Sequence, residues 1–332
     1  MSRAPSEAWD AVVVGGGPSG LAAATWLGRY RRRTLVCDTG RARNRSVEQT
    51  HGYLSRDGAR PAEIMEAART QVDSYEDVEC RSMDVVAIRG SEGRFAVDGA
   101  DGTCVEALRI VLATGVVDVV PEVDGFAEHY GADVFHCPSC DGFEARDRDV
   151  VVLGWSENVT GFALELLDWA ATVTIVTDGR RFEGDAVHRR ALDEHGVCVR
   201  EADATAFLGP RGHLEGVRLR SGEVLRSSMA FFSIAHRPRS PLAELLGCEV
   251  SDEGCVLVDQ QGETSVPGVF AAGDITPGYQ LLQVAAAKGT TAGVGCALSL
   301  RRESPLPGRP RRAPNVEAEL DPARASEGAV SA

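Results

Sequence analysis

The sequence predicts an α/β protein built on parallel sheets, with one strand–helix–strand domain inserted in another. Three observations predict it. A short apolar run near the N-terminus ends in a glycine-rich turn, and a second strand–helix–strand pattern begins near residue 150. Two apolar runs that end in small residues, at 109–115 and 269–274, echo each other on either side of that second pattern.

Taken in order, Ala11-Val12-Val13-Val14 is apolar throughout, as a parallel strand covered on both faces must be. Gly15-Gly16-Gly17-Pro18-Ser19-Gly20 follows, then an apolar helix from about Leu21 to Tyr30, then a strand Thr34-Leu35-Val36-Cys37 that ends at Asp38. A lone G-x-G-x-x-G says little. Between a strand and a helix, with an acid at the tip of the next strand, it predicts dinucleotide binding. Gly15, Gly17 and Gly20 permit the tight turn and close backbone approach, the helix N-terminus faces a pyrophosphate, and Asp38 can accept hydrogen bonds from a ribose diol.

Arg109–Leu112 reads as another buried strand, ending in the turn Ala113-Thr114-Gly115. Val150–Leu153, a helix near Glu157–Ala170 and Val173–Val176 make the second unit. Val269-Phe270-Ala271-Ala272-Gly273-Asp274 repeats the form of the 109–115 turn, and a helix of small residues follows from about Leu281 to Leu300. The expected organisation is a three-layer, Rossmann-like first domain in two parts, 1–117 and 241–304, and an inserted domain of the same type, 118–240. Residues 305–332, rich in Pro, Arg, Ala and Glu without periodicity, are expected to be a disordered tail.

Composition narrows the function classes. The 332 residues carry a net charge of −14, which argues against nucleic acid or an anionic membrane as partner. No apolar run approaches a membrane span, and residues 1–10 lack the apolar core of a secretory signal. Nine cysteines, an odd number without framework spacing, fit a reducing compartment, so a soluble cytoplasmic protein is expected.

The chemistry is concentrated in Cys137-Pro138-Ser139-Cys140-Asp141. In a chain with βαβ patterning a C-x-x-C reads as a redox dithiol, because the spacing lets both sulfurs close a tight disulfide. Half a zinc site and two inert thiols are the alternatives, but no second C-x-x-C and no H-x3-5-H accompanies the pair, and no metal is expected. Asp141 stands where thiol–disulfide exchange needs a proton donor and acceptor beside a leaving sulfur. His136 could lower the Cys137 thiol pKa or take its proton.

These residues together resemble the low-molecular-weight thioredoxin reductase family of flavoproteins, over about 11–300. The resemblance rests on GGGPSG at 15–20, ATG at 113–115, CPSCDG at 137–142 and VPGVFAAGD at 266–274. It implies FAD in the discontinuous first domain. Gly15, Gly17, Gly20 and Asp38 would hold its adenosine and pyrophosphate, Asp274 the ribityl chain, and Gln283 the pyrimidine edge once one inserted residue is allowed. Ala113, Thr114, Gly115 and Gly273 belong to the same expected site, and His51 falls in a segment that lines the flavin in the family. The resemblance further implies that Cys140 faces the flavin, that Cys137 exchanges with the outside substrate, that Asp141 is the proton-transfer acid, and that the chain is a homodimer.

The second nucleotide turn departs from the family. Gly154-Trp155-Ser156-Glu157-Asn158-Val159 keeps only the first glycine, and the next strand ends Thr177-Asp178-Gly179-Arg180-Arg181, where Asp178 would repel a 2′-phosphate and the arginines attract it. Productive NADPH binding is therefore not expected. The chain is also similar to the FAD-dependent dithiol oxidases of that fold, which oxidise a small-molecule dithiol with O2 as acceptor. Those commonly have His after the second cysteine, where this chain has Asp141. A dithiol oxidase is the leading expectation. The alternatives are a reductase of a thioredoxin-like protein, fed by NAD(P)H or ferredoxin, and a flavin-bound redox sensor without turnover.

Overall fold

In the computed structural model, which describes residues 8–302, two main sheets carry the chain, the first mixed and the second parallel. The expected tail at 305–332 lies outside the described residues. The first sheet runs Val78–Ser82, Thr34–Asp38, Trp9–Val14 and Cys104–Leu112, all parallel, with Val269–Ala271 joining the upper half of Cys104–Leu112. The lower half of Cys104–Leu112 pairs antiparallel with Arg94–Gly99, which pairs in turn with Val85–Ser91. The second sheet is parallel throughout, in the order Cys198–Arg200, Thr172–Val176, Asp149–Leu153, Met229–Phe232 and Val134–Phe135. It lies within a break in the first domain's sequence, so one nucleotide-binding-type fold is inserted in the other. Three antiparallel strands, Ala204–Leu208, Gly216–Leu219 and Val224–Arg226, cover one side of it.

The apolar strands are buried because layers cover both faces of each sheet. Small residues in the helix Leu282–Ser299 have a packing cause. A Cβ added at Gly289 or Gly293 would lie 2.0 Å from Ser19 O or 2.6 Å from Ala23 O, so the helix rests backbone to backbone on Pro18–Arg29. The helix expected over 157–170 is shorter, Asn158–Leu166. Its chain turns off there, and the Trp169 ring lies against Gly142 just after the dithiol, where a Cβ would come within 2.5 Å of the ring. Among the described residues no helix is long and apolar enough to cross a membrane.

The chain leaves the first domain through Val116–Val119 and returns through Ala235–Pro238, and these two segments pair antiparallel, Val116 opposite Pro238 and Val119 opposite Ala235. The covalent link between domains is this two-stranded ribbon.

Candidate active site

Parallel strands end at one edge of a sheet, and the loops that leave that edge build the site. Here a cavity of about 800 Å³ opens above Gly15–Ser19 and reaches the dithiol of the inserted domain. All the expected site residues line it except Gly20 and Gly273. Those two serve the turn from behind: a Cβ at Gly20 would lie 1.8 Å from Gly15 O, and one at Gly273 2.5 Å from Ser19 Oγ. Gly15 has φ +109° with Ala113 O 2.2 Å from where a Cβ would be, so only glycine suits both its conformation and its neighbour.

Gly17 differs. Its φ is −77°, an ordinary value, and a Cβ there would meet nothing within 4 Å. It caps the helix Pro18–Arg29 without a side-chain hydrogen bond, and no acid sits in the first turn. The cradle therefore has free backbone donors and open space, which suits a pyrophosphate. Beside the turn Asp38 lies against Gly16, where a Cβ would come 2.5 Å from its carboxylate carbon, and it accepts from Arg69 Nη2 at 2.5 Å. These features fit FAD. A Gly17→Val variant is accordingly expected to fold, with its apo thermal midpoint little changed, yet to lose FAD affinity by about 100-fold. The flavin-to-protein absorbance ratio of the purified variant checks it.

The dithiol is oxidised: Cys137 and Cys140 form a disulfide, with Cα atoms 5.3 Å apart, at the start of the short helix Pro138–Asp141. Cys140 N donates to Cys137 Sγ at 3.1 Å, a bond that strengthens when Cys137 carries charge. Asp141 is 7% exposed. Burial, aided by the neighbouring Glu144 carboxylate, pushes its carboxyl up to about 7. Glu144 Oε1 faces His51 Nδ1 at 3.6 Å, while Glu144 Oε2 is buried without a hydrogen-bond partner. Asp141, Glu144 and His51 thus form an acid-rich cluster beside the disulfide. Of the remaining cysteines, Cys37, Cys248 and Cys296 are buried, and burial pushes all three thiols up, Cys37 and Cys296 to about 12.

His136 has its own partners along the cavity wall. The His136 ring turns to Tyr130 Oη, 3.3 Å from Nδ1, and packs on Tyr130 and Phe232. Burial holds its pKa below the usual imidazole value. Gln283, in the first turn of the helix Leu282–Ser299, is exposed where it lines the cavity, and nearby Gln280 makes polar contacts with Arg43 and His236. Lys288, on the same helix, donates to Thr276 O and Pro277 O at 3.1 and 2.9 Å.

Sequence reasoning missed Arg43, Asp118 and Tyr130. Arg43 donates to both Asp118 oxygens, to Asp274 Oδ2 at 3.0 Å and to Gln280 Oε1 at 2.7 Å. Tyr130 Oη donates to Asp118 Oδ2 at 3.4 Å. Burial pushes the Asp118 carboxyl up, but the Arg43 fork and the His136 ring outweigh it and hold it below the usual range.

A model of the pyridine nucleotide-disulphide oxidoreductase family matches residues 9–289. The thioredoxin reductase sirT of Leptosphaeria maculans is 30% identical over 89% of this chain and 95% of its own length. The crystal structure of an oxidoreductase from Agrobacterium tumefaciens superposes with a TM-score of 0.81, at 32% identity, over 90% of this chain and all of that one. The atypical thioredoxin reductase TRi of Desulfovibrio vulgaris Hildenborough, 29% identical over 90% of this chain and all of its own, superposes with a TM-score of only 0.50. With a dinucleotide cradle and a redox disulfide facing one cavity, the chain belongs to the pyridine nucleotide-disulphide oxidoreductase family, as a thioredoxin reductase-like disulfide oxidoreductase.

Proposed function

We propose that the protein is a dithiol oxidase, forming a disulfide in a small-molecule dithiol with FAD as cofactor and O2 as final acceptor. The observation that carries this reading is the second nucleotide turn. The Arg180 guanidinium lies 4.0 Å above the Trp155 ring, and Glu183 N donates to Trp155 O at 2.8 Å. The loops after Asp149–Leu153 and Thr172–Val176 are thereby tied to each other across the strand ends where a dinucleotide would lie. Ser156 puts a hydroxyl where the second glycine of the motif would stand, and Glu157 adds a negative charge beside it. Electrons then enter through the dithiol rather than from NADPH.

FAD, when bound in the cavity, supplies a two-electron acceptor that O2 can reoxidise, releasing hydrogen peroxide. The chain's own residues do the rest. A substrate thiolate attacks Cys137 Sγ, the Cys137–Cys140 bond breaks, and Cys140 leaves as a thiolate that Asp141 can protonate. The second substrate thiolate attacks the substrate sulfur of the mixed disulfide, and Cys137 leaves, its charge met by Cys140 N–H. The substrate has lost two electrons and two protons, and the cysteine pair holds the electrons. Asp141 takes back its proton when Cys140 passes them on.

The reductase reading draws support from a relative named thioredoxin reductase and from the acid, rather than His, after Cys140. Its partner would be a thioredoxin-like protein. Anaerobic titration of the FAD-loaded enzyme separates the two. The oxidase is expected to bleach with stoichiometric dithiothreitol, not with NADPH, and to yield peroxide when air is admitted. Rapid bleaching by one equivalent of NADPH would sink the oxidase.

A further inference from the structure

A two-stranded ribbon does not by itself fix how two domains face each other, so the facing of disulfide and cradle must come from the seam between them. We propose that Arg43, backed by Arg211, is a positioning residue that clasps the inserted domain in the orientation where its disulfide opens onto the flavin cavity. This rests on the proposed transfer of electrons from the dithiol to FAD.

Arg43 stands on the 3-10 turn Arg43–Ser46 of the first domain. Its fork grips Asp118 on the hinge strand, and its remaining nitrogen reaches Asp274 and Gln280, so one guanidinium ties the cradle's far wall to the hinge. Gln280 continues to His236 on the other hinge strand, 2.9 Å between Nε2 atoms. From Asp118 the bonds pass through Tyr130 to His136, which adjoins Cys137. Arg43 and Asp118 are only 16% and 9% exposed, so water competes weakly for these bonds.

The second grip is independent. Arg211, in the inserted domain, donates through Nε to Glu48 Oε1 at 2.8 Å and through Nη2 to Ser46 O at 3.5 Å, both in the first domain. Its Nη1 binds the carbonyls of Glu128 and Tyr130 in its own domain. Beside it Glu48 N donates to Gly131 O at 3.1 Å. Gly131, with φ +80° and Ser46 O 2.1 Å from a Cβ position, leaves no room for a side chain at this approach. The segment 43–48 is thus bound to the inserted domain from both ends. At nearly equal identity and coverage, the Agrobacterium and Desulfovibrio structures differ widely in superposition on this chain, as the TM-scores of 0.81 and 0.50 record.

The test compares full-length, FAD-loaded wild type, Arg43→Gln and Arg211→Ala, each mixed anaerobically with dithiothreitol. Two rates are read together: appearance of the Cys137 and Cys140 thiols, by alkylation and mass analysis, and loss of flavin absorbance. In wild type the rates are expected to coincide. In Arg43→Gln the thiols should appear at the wild-type rate or faster while bleaching lags by about tenfold or more, and Arg211→Ala, a surface change, should lag by about threefold. Bleaching that keeps pace with thiol formation in both variants would overturn the clasp. So would equal slowing of both rates, which a merely structural role produces. Thiols that form in wild type without any bleaching would overturn the proposed function, and the clasp with it.

Discussion

Replacing Cys140 with serine is expected to abolish dithiol-driven flavin reduction, lowering its rate by about 1000-fold or more, on the order of 4 kcal/mol in the barrier. In the proposed relay Cys140 is the leaving sulfur of the first exchange and then the holder of the electron pair. Serine can do neither, since an alkoxide is a far poorer leaving group than a thiolate and forms no disulfide. Cys137 keeps its place at the start of Pro138–Asp141, and residue 140 keeps its backbone N–H beside the Cys137 sulfur. The variant should therefore still exchange with a small disulfide such as 5,5′-dithiobis(2-nitrobenzoate), one added equivalent per chain over the Cys137→Ser/Cys140→Ser double variant. That control subtracts the exposed thiols Cys80, Cys104 and Cys198. Flavin bleaching within about tenfold of wild type would overturn the relay.

What the sequence disclosed and what it hid divide along a physical line. The cradle and the dithiol are legible because each is made by consecutive residues whose backbone demands are local. Gly15 needs a positive φ, Gly17 must leave space, and two cysteines three apart can close a ring. The seam is not legible, because residues 43, 118, 130, 274 and 280 come from five segments that meet only after folding. No local spacing marks one arginine among so many. Direction is hidden for the same reason. His136 adjoins Cys137 in sequence, but its ring turns to Tyr130. The loss of glycines after Gly154 could be read from the letters, whereas the Arg180–Trp155 stack above that turn could not.

Asp141→Asn is the change with the clearest pH signature. The carboxyl, buried and beside Glu144, titrates near 7 in the folded chain against an ordinary value of 3.8. Near neutral pH it can therefore give a proton to the leaving Cys140 and take it back. Dithiol-driven bleaching by the wild type should fall as pH rises through about 7, because the acid form is then lost. Asparagine is similar in size but carries no transferable proton, so the rate should drop by about 100-fold and that falling limb should vanish. Stability carries a pH signature of the same sign. Because the folded pKa lies above the unfolded one, the folded state binds the proton more tightly, and wild-type stability declines as pH rises from about 4 to about 7. Asparagine, neutral throughout, escapes that decline. Relative to wild type the variant should gain thermal stability on going from pH 4 to pH 8, by on the order of 3 kcal/mol. A melting difference that does not change with pH, together with a falling rate limb that survives in the variant, would remove Asp141 from the proton path and leave Glu144 and His51 as the groups beside the sulfur able to fill it.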